Sequence, residues 1–155
     1  MSRVRMRTRE HHLTTERFFP AVRADVFAYF ADAANLQRIT PPELGFTILS
    51  PLPVAMAPGA VIDYRLRLMG VPFRWRTLIT EWEPDVRFVD EQVRGPYAAW
   101  RHEHAFRDAP GGTIVTDAVT WRLPFHPVGD VAAPIVRRQL ERIFRYRGKR
   151  LAQHF

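Results

Sequence analysis

Two histidines separated by one residue in an extended run are the part of this chain best suited to chemistry. In Trp100-Arg-His102-Glu-His104-Ala-Phe106 alternate side chains share a face. Trp100, His102, His104 and Phe106 therefore point one way, and Arg101, Glu103 and Arg107 the other. A face built only for packing carries Val or Ile at such positions. Imidazoles between aromatics instead bring hydrogen-bond donors, a general base or metal ligands into an apolar setting.

Carboxylates are expected beside them. Centring the following hairpin on Pro110-Gly111 pairs Phe106 with Val115, His104 with Asp117, His102 with Val119 and Trp100 with Trp121. Asp117 then stands next to His104, and Val115, Val119, Trp121 and Leu123 share its wall. The Gly95-Pro-Tyr97 turn brings Asp90 and Gln92 toward Trp100, His102 or His104, with the register open by one pair. A cation comes from the C-terminal helix, where Arg147 falls within the stripe of Leu140, Ile143, Phe144 and Leu151. A charge on that face needs a partner, Asp90 or Asp117.

Several uses of this cluster are open. As a purely structural network, Asp117 orients His104, Asp90 pairs with Arg147 or His102, and strand register is held; Arg147 alone can also snorkel to solvent. As a binding site, Tyr64, Trp75, Trp100 and Trp121 form apolar walls, while Gln92, His102, His104 and Arg147 donate to a carbonyl, hydroxyl or carboxylate. As an enzyme, with His104, Asp117 and His102 as catalytic candidates, a carboxylate-held histidine removes a proton from an acidic carbon. Arg147 or the second histidine then stabilises the enolate, giving aldol-type cyclisation or dehydration. A two-histidine, one-carboxylate metal site with Asp90 or Asp117 is permitted by spacing. His–carboxylate pairs are more often simple hydrogen bonds, so neither metal nor cofactor is expected.

The elements that must position these groups follow from periodicity. His11 to Pro20 reads as a strand, Asp25 as the N-cap of a short helix, and Leu36 to Ile39 as a second helical turn stopped by Thr40-Pro41-Pro42. Period-two runs follow over residues 46–50, 61–69, 73–82, 87–94, 99–107 and 113–123. Ile62, Tyr64, Leu66 and Leu68 face inward on one, and Phe73, Trp75, Thr77 and Ile79 on the next. Helical spacing returns from Val128 to Phe155, with Pro134 kinking or delaying the start. Trp82 is expected to cap the core, and His11, His12, His126 and His154 to lie on the surface.

The 155 residues suit one domain, with 46% hydrophobic and 25% charged residues, no cysteine and no apolar run long enough to span a membrane. The absence of an apolar leader makes the cytoplasm the expected compartment. Net charge is +7, and Arg3, Arg5, Arg7 and Arg9 supply more than half of it. Residues 1–10 are therefore read as a basic tail and 11–155 as the domain. Nucleic acid is not an expected partner, because no binding motif accompanies the charge. A surface interaction through the tail would weaken steeply with salt. Oligomeric state is left open.

This order of elements resembles the START-like, or SRPBCC, superfamily. The strings Thr40-Pro-Pro42, Pro58-Gly59, Trp75-Arg-Thr77, Phe88-Val-Asp90-Glu-Gln92, Gly95-Pro-Tyr97, Trp100-Arg-His102-Glu-His104-Ala-Phe106 and Phe144-Arg-Tyr-Arg147 look like those of a bacterial ligand-binding, polyketide cyclase/dehydrase-like branch. The resemblance implies an α+β helix-grip fold: a curved antiparallel sheet of about seven strands wrapped around a long C-terminal helix, with two short helices after the first strand. It further implies a cavity for a hydrophobic or amphipathic small molecule that is lipid, polyketide-like or isoprenoid-like. The alternative is a cyclase/dehydrase using a His–Asp pair.

Overall fold

The computed structural model describes residues 9–155. Most of the tail expected over residues 1–10 lies outside them. Seven strands form one antiparallel sheet: β1 (Glu10–Phe19), β2 (Thr47–Ile48), β3 (Val61–Leu68), β4 (Val71–Glu83), β5 (Arg87–Arg94), β6 (Ala99–Ala109) and β7 (Gly112–Arg122). Their spatial order is β1-β7-β6-β5-β4-β3-β2. Helix α1 (Arg23–Ala31) follows β1, and α2 (Ala133–His154) ends the chain. This is the helix-grip fold expected from the sequence.

The hairpin register is the one that Pro110-Gly111 implies, with Trp100 opposite Trp121, His102 opposite Val119 and His104 opposite Asp117. The β5–β6 pairing sets Asp90 opposite His102 and Phe88 opposite His104. Between β4 and β5 the ladder slips twice, at Arg76/Thr77 and at Ile79/Glu81. An unpaired residue bends its strand and reverses the side-chain parity beyond it. Odd residues Trp75, Thr77 and Ile79 are buried before Thr80. Beyond it the even residue Trp82 turns in against Phe27 and Phe88.

Helix α1 starts on Val22, which makes no side-chain cap; Asp25 lies in its first turn rather than at the N-cap. An acid there still meets the positive end of the helix dipole. The second helical turn is longer than expected, a 3-10 helix over Ala33–Ile39 capped by Asp32, whose carboxylate accepts from Ala34 N at 3.0 Å. Another 3-10 turn, Pro42–Leu44, follows the prolines. Pro134 stands at the first turn of α2 and delays its start, leaving a 3-10 turn over Val128–Ala132. Proline is tolerated there because its missing N–H has no intrahelical partner.

The buried stripe of α2, Val136, Leu140, Phe144, Gly148 and Leu151, crosses the concave face of the sheet. Two apolar clusters result. One joins Trp75, Tyr97, Trp121, Leu140 and Phe144. The other joins Phe19, Phe27, Phe30, Phe88 and Phe106 under α1. His104 stacks on Phe88 at 4.2 Å between ring centroids, and His102 meets Phe144 edge-on at 5.4 Å. The two imidazoles thus lie between the clusters.

Candidate functional site

Alternation on β6 turns both imidazoles inward, where they are buried together with Asp117. Their hydrogen bonds run diagonally. His102 Nε2 lies 2.8 Å from Asp117 Oδ1, and His104 Nε2 lies 2.7 Å from Asp90 Oδ2. The reverse pairings are longer, 3.2 Å from His104 Nδ1 to Asp117 Oδ1 and 3.9 Å from His102 Nδ1 to Asp90 Oδ2. The sequence reading placed Asp117 on His104 and Asp90 on Arg147 or His102. Backbone register alone suggests those partners, but the rings lean toward each other along the strand. That lean carries each Nε2 past the residue directly opposite.

The four groups therefore form a closed quartet in which each carboxylate stands between two imidazoles. The rings stack with centroids 3.7 Å apart and planes 26° from parallel. Asp90, His102 and His104 bring one possible ligand atom each within 4.8 Å of one another, near enough for a metal ion. Stacking works against coordination, because an ion bound by both rings would have to lie in both ring planes. The short His–carboxylate distances are those of charge-assisted hydrogen bonds.

The charge distribution is asymmetric. Burial opposes a proton on His104, but its interactions with the carboxylates of Asp117 and Asp90 outweigh it and raise its pKa above the usual histidine value. His102 is pushed the other way, by burial first and then by the charge on His104, despite its bond to Asp117. Burial alone would raise both carboxylic acids, yet Asp90 and Asp117 are held below the usual range. For Asp90 the hydrogen bond from His104 comes first, and for Asp117 that from His102. The pair's extra proton is therefore favoured on His104, whose Nε2–H is given to Asp90, over a neutral His102. In the latter Nε2–H points to Asp117 and Nδ1 keeps its lone pair.

Against this quartet lies a cavity of about 130 Å³ between sheet and α2. Of the residues proposed from sequence, Tyr64, Trp75, Asp90, Trp100, His102, His104 and Arg147 line it. Asp117 sits behind the histidines. Gln92 turns away: its amide donates to Tyr97 O at 2.8 Å and accepts from Tyr97 N at 3.0 Å, clamping the β5–β6 turn. Trp121 is fully buried outside the cavity and stacks on His11 at 4.3 Å. His11 is accordingly buried rather than on the surface, and its neutral form is favoured by burial and by the charge of Arg9.

Sequence reasoning missed several wall residues. Thr77 offers a hydroxyl 3.2 Å from Tyr64 Oη, and Leu36, Thr40 and Phe46 come from the segment between α1 and β3. Thr77 was legible as an inward position but carried no chemical signal. The others lie on a short helical turn, at its proline stop and at the start of a short strand, elements too brief for their inward face to be read. Arg147 has its Nε buried without a hydrogen-bond partner, and its guanidinium carbon sits 5.1 Å from the centre of the Phe144 ring. Among the described residues it forms no salt bridge, so the partnership expected with Asp90 or Asp117 is absent at bonding distance. Asp90 faces the histidines instead.

Residues 49–155 match the family model described as a domain of unknown function, DUF8410. The chain belongs to that family. No curated protein matches the DUF8410 chain. Among solved structures it is similar to the Zhui aromatase/cyclase of Streptomyces sp. R1128, at 14% identity and TM-score 0.76, over 94% of this chain and 93% of that one. It is similar to TTHA0849 of Thermus thermophilus at 18% identity and TM-score 0.75, over 92% and 95%. The nucleoside-diphosphate sugar epimerase of Corynebacterium glutamicum is 26% identical with TM-score 0.66, over 91% of this chain but only 28% of the epimerase chain. These likenesses bear out the helix-grip fold of the DUF8410 domain. No helix among its described residues is long and apolar enough to cross a membrane.

Proposed function

We propose that this DUF8410 domain binds a compact amphipathic small molecule between the sheet and α2. The apolar body packs against Tyr64, Trp75, Trp100 and Phe144, and a polar oxygen meets Arg147 and the histidine pair. One observation carries the reading: a largely apolar cavity contains a guanidinium with no carboxylate bonded to it among the described residues. Arg147 is part-buried with its Nε shielded from water and unpartnered, and a carboxylate or polarised carbonyl on the ligand would meet it with charge-assisted hydrogen bonds.

The volume narrows the occupant. A water-sized group needs roughly 10–15 Å³ of such space, so about ten such groups fit. That suits a small polyketide-like ring system or an isoprenoid of about ten carbons. A lipid acyl chain would project from the mouth. The aromatase/cyclase among the structural neighbours supports a ring-shaped occupant.

Native mass spectrometry of protein purified without detergent, followed by titration with 2-naphthoic acid, tests the proposal. Saturable one-to-one binding of the acid, and much weaker binding of naphthalene, is expected. Equal affinity for both compounds would remove the role of Arg147, and binding of neither would sink the reading.

The opposed histidines favour a second reading, in which the domain is a cyclase/dehydrase. With both rings neutral, His102 Nδ1 takes a proton from carbon next to a carbonyl, its new charge met by Asp117, while Arg147 stabilises the enolate oxygen. Turnover of a β-polyketone that disappears in His102→Gln, with binding of 2-naphthoic acid retained, would distinguish it from binding alone.

A further inference from the structure

The junction between β7 and α2 holds four apolar side chains in water. Phe125 is 84% exposed, Val128 76%, Val131 81% and Ile135 58%. Pro127, Ala132 and Pro134 are exposed between them. A contiguous apolar surface of this kind marks an interaction site more often than a scattered one does.

The segment is held in place by its polar groups. Asp130 bonds to His126 and lies 3.9 Å from His11, Gly129 N donates to Phe125 O at 2.9 Å, and Arg137 donates to His12 O at 3.0 Å. His126, Asp130 and Arg137 are thus engaged by the body of the fold, which leaves the hydrophobic side chains and the exposed Arg122 and Arg138 on the outer surface.

Its surroundings are basic. Asp130, turned inward, is the only acid in residues 122–140, which also carry Arg122, Arg137 and Arg138. Glu10 opens β1 opposite Arg122, three residues before Phe125. Exposed Arg9, next to Glu10, therefore stands at the rim of this surface. An acidic protein would satisfy the arginines but not the aliphatic and aromatic side chains. A second copy would set the same positive charges against each other.

We propose that the β7–α2 junction docks on bilayers that contain anionic lipids. Phe125, Val128, Val131 and Ile135 enter the boundary between headgroups and acyl chains, and the arginines bind the headgroups. The inference is independent of what fills the cavity.

Co-sedimentation of the full chain with vesicles tests it. Partition onto phosphatidylcholine vesicles containing roughly 30% phosphatidylglycerol should exceed that onto phosphatidylcholine alone by about tenfold and fall with added salt. The double variant Phe125→Ser, Val131→Ser should lose about tenfold of this partition while melting like the parent. In Phe125→Trp, tryptophan emission should shift to the blue on adding the anionic vesicles. No partition onto anionic vesicles, no blue shift, or equal partition by the serine variant would each overturn the proposal. So would concentration-dependent dimerisation that the serine variant abolishes, which would assign the surface to a second copy.

Discussion

The imidazoles of His102 and His104 stack at 3.7 Å between ring centroids, with Asp117 and Asp90 bonded to opposite rings. Two like charges oppose each other in so small a buried space, so between the two folded pKa values the pair carries one positive charge. His104 is raised and His102 lowered from the ordinary histidine value of 6.5. Nitrogen-detected NMR should show one proton leaving the pair above that pH and a second binding below it. Two histidines titrating together near 6.5 would contradict the assignment.

The same shifts set a stability profile. A raised histidine stabilises the fold fully below the unfolded value, about 6.5, and that contribution is lost as pH rises through the folded value. A lowered one contributes above about 6.5 and loses its contribution as pH falls through the folded value. The pair therefore favours a maximum of stability near pH 6.5, measurable by urea denaturation across pH. The depressed Asp90 and Asp117 add stability that is lost only at more acid pH, as each falls through its folded value.

Asp117 has no route to solvent that would compensate its loss. Asp117→Asn should destabilise the domain by about 3–5 kcal/mol, because it leaves a buried imidazolium short of a counter-charge. Asp90→Asn should cost less, since Asp90 is more exposed. Equal denaturation midpoints for Asp117→Asn and the parent protein would rule out the charge-paired quartet.

Gln92→Ala should act on stability rather than on the ligand. Losing both hydrogen bonds to the Tyr97 backbone is expected to cost about 1–3 kcal/mol. Affinity for 2-naphthoic acid should stay within about threefold, below 1 kcal/mol. A large loss of affinity at unchanged stability would put Gln92 back among the cavity groups.

Side-chain parity on β6 separates two sets of substitutions. Arg101 and Arg107 face outward, the first paired with Glu81 and Glu103 and the second with Glu16. Arg101→Ala and Arg107→Ala should leave calorimetric affinity for 2-naphthoic acid nearly unchanged. Arg147→Met and His104→Ala should each weaken it by about tenfold or more, the effect of losing a charge-assisted hydrogen bond. Equal effects from both sets would overturn the assignment of the cavity face.

The sequence by itself determined the element order, the inward face of β6 and the β6–β7 register. Alternating polarity and a tight Pro-Gly turn are local signals, and they brought Asp117 to the histidines. It also placed Arg147 within the apolar stripe of α2. Local pattern does not encode a bulge, so the slips that bend β4 against β5 were not legible, although Trp82 caps the core as expected. Nor does register specify where a flexible side chain ends. Only the packed tertiary structure decided that His102 takes Asp117 and His104 takes Asp90, that Gln92 closes on the Tyr97 backbone, and that Trp121 is filled over by His11. Each outcome depends on competition among side chains from several strands for the same space and the same hydrogen bonds. The free volume beside Arg147 is what that competition leaves over.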